Sequence, residues 1–138
     1  MPTEFHVIAA RGIVVVRHFG HLTVAESRDS FARYLRHPQA RPGQNHLVDC
    51  SDLTSYEHDF AGILKLQADI AETFSPEAPE TLLILYGPPG IPHEVATIIR
   101  NSWEGTGSVI PRVVAAEAEA LAILGQPERR ISELLALA

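Results

Sequence analysis

Glu57–His58–Asp59 sets an imidazole between two carboxylates. It lies where an apolar run at Leu47–Val48 passes through Asp49, Cys50, Ser51 and Asp52 into a helical pattern. A histidine flanked by acids could move a proton or act as a proton-sensitive contact. The same residues also suit a structural role: Glu57 and Asp59 would complement a helix dipole, Thr54 or Ser55 would cap it, and His58 would stand exposed. His93–Glu94, in the first turn of a later helix, would line the same crevice, because helices of open α/β sheets start beyond the ends of adjacent strands. The candidate interaction or pocket residues are therefore Asp52, Ser55, Glu57, His58, Asp59, His93 and Glu94.

Other chemistries find less support. Seven histidines and several acids invite a metal, but no HExxH, no Cys-His cluster and no pair of histidines four apart is present. Scattered surface histidines are the expectation, and no metal or cofactor is assigned. Gly87–Pro88–Pro89–Gly90 stands where a phosphate loop would, yet its two prolines lack N–H donors and no Lys-Ser/Thr follows; it reads as a turn. Cys50, the sole cysteine, reads as a small core residue rather than a nucleophile. No Gly-x-Ser-x-Gly elbow or paired-carboxylate motif marks a catalytic centre, so no catalytic residue is assigned.

The elements that must position these residues follow from periodicity. Phe5–Ala10 and Ile13–Phe19 are β-branched runs joined through Arg11–Gly12, a hairpin signal. Thr23–Glu26 has the form of a capping box, ahead of a stripe at Val24, Ser27, Phe31, Tyr34 and Leu35 that Pro38 and Pro42–Gly43 stop. A third strand centres on Leu47–Val48, and a second helix begins near His58. Its stripe is Phe60, Ile63, Leu64, Gln67, Ile70, Ala71 and Phe74, ended by Pro76 and Pro79. Thr81–Tyr86 is nearly all apolar, as in a strand covered on both faces. Val95, Ile98, Ile99 and Trp103 define a third helix closed by Gly105 and Gly107. Ser108–Val114 is a last strand, placed at an edge by Pro111. A helix over Ala116–Leu124 stops at Gly125. The order predicts an α/β fold with a mixed sheet of about five strands, an N-terminal antiparallel hairpin and helices packed over it.

With 138 residues, 46% hydrophobic and 20% charged, the chain fits a single globular domain over 1–138. A net charge of −6 without basic clusters argues against nucleic acid or an anionic membrane as partner. One cysteine, no signal-like N-terminus and only strand-sized apolar runs point to a cytoplasmic protein that does not insert into a membrane. Residues 127–138 form a helical extension. Its stripe of Ile131, Leu134, Leu135 and Ala138 should dock on its own sheet or, alternatively, on a second subunit.

Ile13–Val16 followed by Phe19–Gly20 and a Thr-capped helix, His37–Pro38 at its end, Pro42–Gly43 before Leu47–Asp49, and the tail Ala120–Gly125 together resemble the STAS-type fold of anti-sigma-factor antagonists. They resemble the bacterial SpoIIAA-like proteins more closely, over about Phe5 to Gly125. In the antagonists, an Asp at the strand end is followed by an Asp-Ser pair opening the helix, and a partner kinase phosphorylates that Ser. Setting Asp49 on the strand-end Asp puts Glu57 on the second acid and His58 at the phosphoacceptor position, so the hydroxyl is absent. The resemblance implies a non-catalytic regulatory or protein-interaction module with a protein partner, able to form a homodimer, but without the serine switch. The alternative is a small apolar ligand or lipid carrier, since small and aliphatic residues along the second and third helices could leave a cavity against the sheet. A small hydrolase using His58 or His93 is the third reading.

Overall fold

The computed structural model describes residues 3–71, 80–103 and 108–138. Expectations at Phe74, Pro76, Pro79, Gly105 and Gly107 fall outside them. Thr3–Ile8 (β1) and Ile13–Leu22 (β2) pair antiparallel, from Thr3↔His18 to Ile8↔Ile13. The first strand ends before Ala10 because Ala9–Arg11 turn as a short 3-10 segment. Gly12 closes it at φ 65°, a backbone region that favours glycine.

Helix α1, Val24–Leu35, starts as its sequence predicts: Oγ1 of Thr23 accepts the Glu26 N–H at 3.2 Å. A further N–H, that of Val24, is taken by Oε1 of Glu57 at 3.1 Å. The cap of α1 is thus completed from a distant segment.

The junction after Val48 differs from expectation. Strand β3 runs from Asn45 to Tyr56, so Thr54 and Ser55 belong to the strand and cap nothing. Pairing with the long β2 extends it, through register shifts, to Leu22↔Tyr56. Helix α2 is Phe60–Ala71, two residues later than His58, and Asp59 is its cap: Oδ1 accepts the Gly62 N–H at 2.9 Å. The local acids misled because β-pairing outweighed the turn propensity of Ser51–Ser55.

Strand β4 (Thr81–Tyr86), α3 (Ile91–Ser102), β5 (Val109–Val114), α4 (Glu117–Ile123) and α5 (Ile131–Leu135) follow. The turn into α3 explains Gly87–Gly90. A Cβ on Gly87 would lie 2.6 Å from the Pro92 carbonyl oxygen and 2.9 Å from Cβ of Ala96, so α3 can approach β4 only over glycine. Gly90, at φ 103°, caps the helix.

The strands lie in the order β1-β2-β3-β4-β5, with only β1–β2 antiparallel, and β5 with Pro111 is an edge as expected. A parallel sheet in sequential order, joined by crossovers of one hand, puts α1, α2 and α3 on one face. The other face carries α4 and α5, packed on Ile13, Val15, Leu47 and Ile84. Ile131 and Leu134 of α5 are 2% and 0% exposed within that cluster. The C-terminal stripe therefore docks on its own sheet. Its helix begins at Ile131 rather than Pro127, and the Ile131 N–H donates to Glu117 Oε1 at 3.1 Å. Among the described residues no helix is long and apolar enough to cross a membrane.

Candidate functional site

The two faces of the sheet are filled differently. Alternation sends Ile13, Val15 and Leu47 into the α4–α5 layer and sends Val14, Val16, His18, His46 and Val48 the other way. On this second face lies a cavity of about 160 Å³. Helix α2 packs against α1 and α3 more than against the sheet, so it bridges them as a roof. Ile63, Leu66, Gln67 and Ile70 point down from it, while Val95, Ile98 and Ile99 of α3 form one wall. The predicted α2 stripe is thus rotated: Leu66 is its buried residue, and Phe60 and Leu64 face solvent at 52% and 59% exposure.

The wall of this cavity is mostly apolar, and its polar atoms are few. One end is closed by aromatic packing, with Tyr34 edge-on to both Phe5 and His46 at ring distances of 6.1 and 5.3 Å. The Tyr34 hydroxyl donates to Gln44 Oε1 at 2.6 Å, and burial raises its pKa. His18 shares a hydrogen bond between Nδ1 and Thr3 Oγ1 at 2.9 Å. Burial lowers the pKa of both His18 and His46 to about 4, the Asp49 charge only partly opposing this at His18, so both rings are neutral at pH 7. These two histidines are not the surface groups expected from sequence. The signal that could have placed them was the period-two alternation of His18 with Val14 and Val16, and of His46 with Val48.

The seven candidate residues divide among several tasks. The Tyr56 hydroxyl donates to Glu94 Oε1 at 2.5 Å, and the His58 ring stacks on Tyr56 at 4.4 Å. The ends of β3 and the start of α3 therefore do meet, through Tyr56, which the sequence did not single out. His93 turns back to the Gly87 carbonyl, Nδ1 at 3.2 Å. Ser55 Oγ meets His21 Nδ1 at 2.8 Å, and Glu57 and Asp59 serve as helix caps. Asp52 is apart from these, 3.7 Å from Nη2 of Arg17, whose Nε lies 3.5 Å from buried Asp49. Of the seven, only Glu57 borders the cavity, at its mouth beside Leu22 and Val24.

Two other chemistries can be judged on geometry. Cys50 is fully buried among apolar side chains, which together with the Asp49 charge pushes its thiol pKa up to about 12. A thiol held protonated in that way is a poor nucleophile. Among the described residues, no group of three or more His, Cys, Asp or Glu side chains is placed to hold a metal ion.

No protein-family model matches the chain, and no curated protein matches it. Among solved structures it is similar to an uncharacterized protein of the DUF3478 family, with a SpoIIAA-like fold, from Shewanella loihica PV-4. The match covers 81% of this chain and 83% of that one, at a TM-score of 0.50 and 17% identity. The chain has a SpoIIAA-like fold, in agreement with the resemblance read from its strand and helix motifs.

Proposed function

We propose that this protein is a non-catalytic binding module that takes a small apolar molecule between the sheet and the α1–α2–α3 layer. The observation that carries this reading is the apolar-walled cavity of about 160 Å³ over one face of the sheet. Protein interiors are close-packed, and apolar side chains that line an unfilled space forgo dispersion contacts a neighbour would give. A ligand would restore them. The roof helix, resting on α1 and α3, is the natural element to respond to occupancy. Native against denaturing mass spectrometry of the purified protein tests the idea. A mass excess lost on denaturation, or a rise in melting temperature with added apolar compounds, supports it; no added mass and no shift across a broad apolar panel sinks it.

A protein-interaction role is the second reading, favoured by Phe60 and Leu64, exposed one turn apart on α2 next to the Tyr56–His58 stack. The partner could be a different protein or a second copy of this chain. The two readings are compatible if a ligand under the roof alters the surface above it. Phe60→Ser with Leu64→Ser should then abolish partner capture or self-association while leaving ligand uptake intact. Loss of neither association would remove the interaction reading.

A further inference from the structure

We infer that the ligand of this cavity is an electrically neutral, hydroxyl-bearing apolar molecule about the size of a substituted benzene, and not a fatty acid or other carboxylate. The inference rests on the cavity being a ligand site and specifies what that site selects.

Size comes first. An engineered apolar cavity of about 150 Å³ in another protein holds benzene. The present cavity, of about 160 Å³, has room for a comparable ring or a short branched chain.

Charge comes second. No Lys or Arg lines the cavity among the described residues. Among the described residues, Glu57 is the one acidic side chain on its wall, and His18 and His46 there are uncharged at neutral pH because burial disfavours their protonation. A carboxylate placed here would lose its hydration with no cation to replace it and an acid at the mouth to oppose it. An ammonium would also be dehydrated, and Glu57 Oε1 is already engaged by the Val24 N–H.

Polarity comes third. Thr81, at the first position of β4, is 2% exposed, borders the cavity, and its Oγ1 has no hydrogen-bond partner among the described residues. Gln67, on the roof, presents an Oε1 that is likewise buried and unpartnered. Buried polar groups are nearly always satisfied, so two orphans bordering one apolar cavity point to something that supplies their bonds. A ligand hydroxyl can accept from the Thr81 hydroxyl or donate to the Gln67 carbonyl oxygen.

The test titrates the full-length protein at neutral pH by calorimetry with three molecules of nearly one shape: p-cresol, p-xylene and 4-methylbenzoate. The expected result is binding of p-cresol at least about tenfold tighter than 4-methylbenzoate, the scale of one unmet buried charge or hydrogen bond. Thr81→Val, close in shape, should weaken p-cresol by about tenfold and leave p-xylene unchanged or tighter. Gln67→Leu gives the same comparison should Thr81→Val fold poorly. Binding of 4-methylbenzoate within about threefold of p-cresol, or equal loss of p-cresol and p-xylene in both variants, overturns the inference and leaves the cavity a general apolar site. If none of the three binds, the ligand-site reading falls, and the inference falls with it.

Discussion

The Tyr56 hydroxyl donates to Glu94 at 2.5 Å, fastening the last residue of β3 to the first turn of α3. This bond joins two segments 38 residues apart and sets the stacking platform on which His58 lies. Tyr56→Phe should lower stability by about 1 kcal/mol, the ordinary net worth of one such bond. The bond to Glu94 also holds the proton on the phenol and raises its pKa. In Glu94→Gln, one tyrosine should therefore titrate at lower pH than in the wild type. An ultraviolet difference titration reads this directly, and identical curves for the two proteins would refute the coupling.

Acid should destabilise the fold before ordinary carboxylates protonate. His18 and His46 titrate near 4 in the folded chain against 6.5 when unfolded, so the unfolded state binds the extra protons. Their contribution is fully present above about pH 6.5 and is lost as pH falls toward 4. By about pH 5 the loss should be on the order of 2 kcal/mol for each ring. Urea midpoints measured between about pH 7 and pH 5 check this; a flat profile over that window would show that neither ring is buried neutral.

The cavity over one face of the sheet predicts unequal responses to added volume on the two faces. Val48 borders the cavity, whereas Val15 is 0% exposed in the α4–α5 core. Val48→Phe should change stability by less than about 1 kcal/mol, because its ring enters open space. Val15→Phe should cost about 2–3 kcal/mol through overpacking. Val48→Phe should also block uptake of p-cresol. Equal destabilisation by the two substitutions in denaturant melts would mean that the cavity does not exist in solution.

Cys50 provides a probe of global opening. It is 0% exposed with a thiol pKa of about 12, so alkylating reagents at neutral pH should leave it unmodified in the folded protein. Labelling should track the unfolding curve in urea, read by intact mass. Rapid labelling without denaturant would contradict its placement in the core.

The C-terminal helix belongs to the core and not to a detachable arm. Leu134→Ala should destabilise by about 2–5 kcal/mol, as for other fully buried leucines. Arg11 adds a polar tie to the approach of this helix, with Nη2 3.0 Å from Glu128 Oε1. Deleting residues 128–138 should accordingly lower the melting temperature. If the deletion leaves stability intact and changes only the oligomeric mass, the helix is an interface instead.

What the sequence by itself determined was the order of elements and the direction of their pairing. The apolar runs at Ile13–Val16, Leu47–Val48 and Thr81–Tyr86, separated by helical stripes, demand crossovers and hence a parallel sheet behind an initial hairpin. Pro111 marked an edge, Gly87–Gly90 a turn, and Thr23 a cap, because each rests on local steric or hydrogen-bonding requirements of one or two residues. The expectation of small and aliphatic residues around a space beneath α2 and α3 was legible too, though not whether that space would be filled.

Only the tertiary structure decided the site. Whether β3 ended near Asp52 or at Tyr56 depended on the reach of β2 beside it, a non-local pairing that no window of the sequence contains. Asp52, Glu57 and Asp59, close in sequence, are dispersed by that extension: Glu57 caps α1, Asp59 caps α2 and Asp52 faces Arg17. Tyr56 and Glu94 came together, and His18, His46, Gln67 and Thr81 came to border one cavity, through packing between elements distant in sequence. Burial, neutralised histidines and unmet hydrogen bonds are properties of such packing, and they arise only when the layers close on one another.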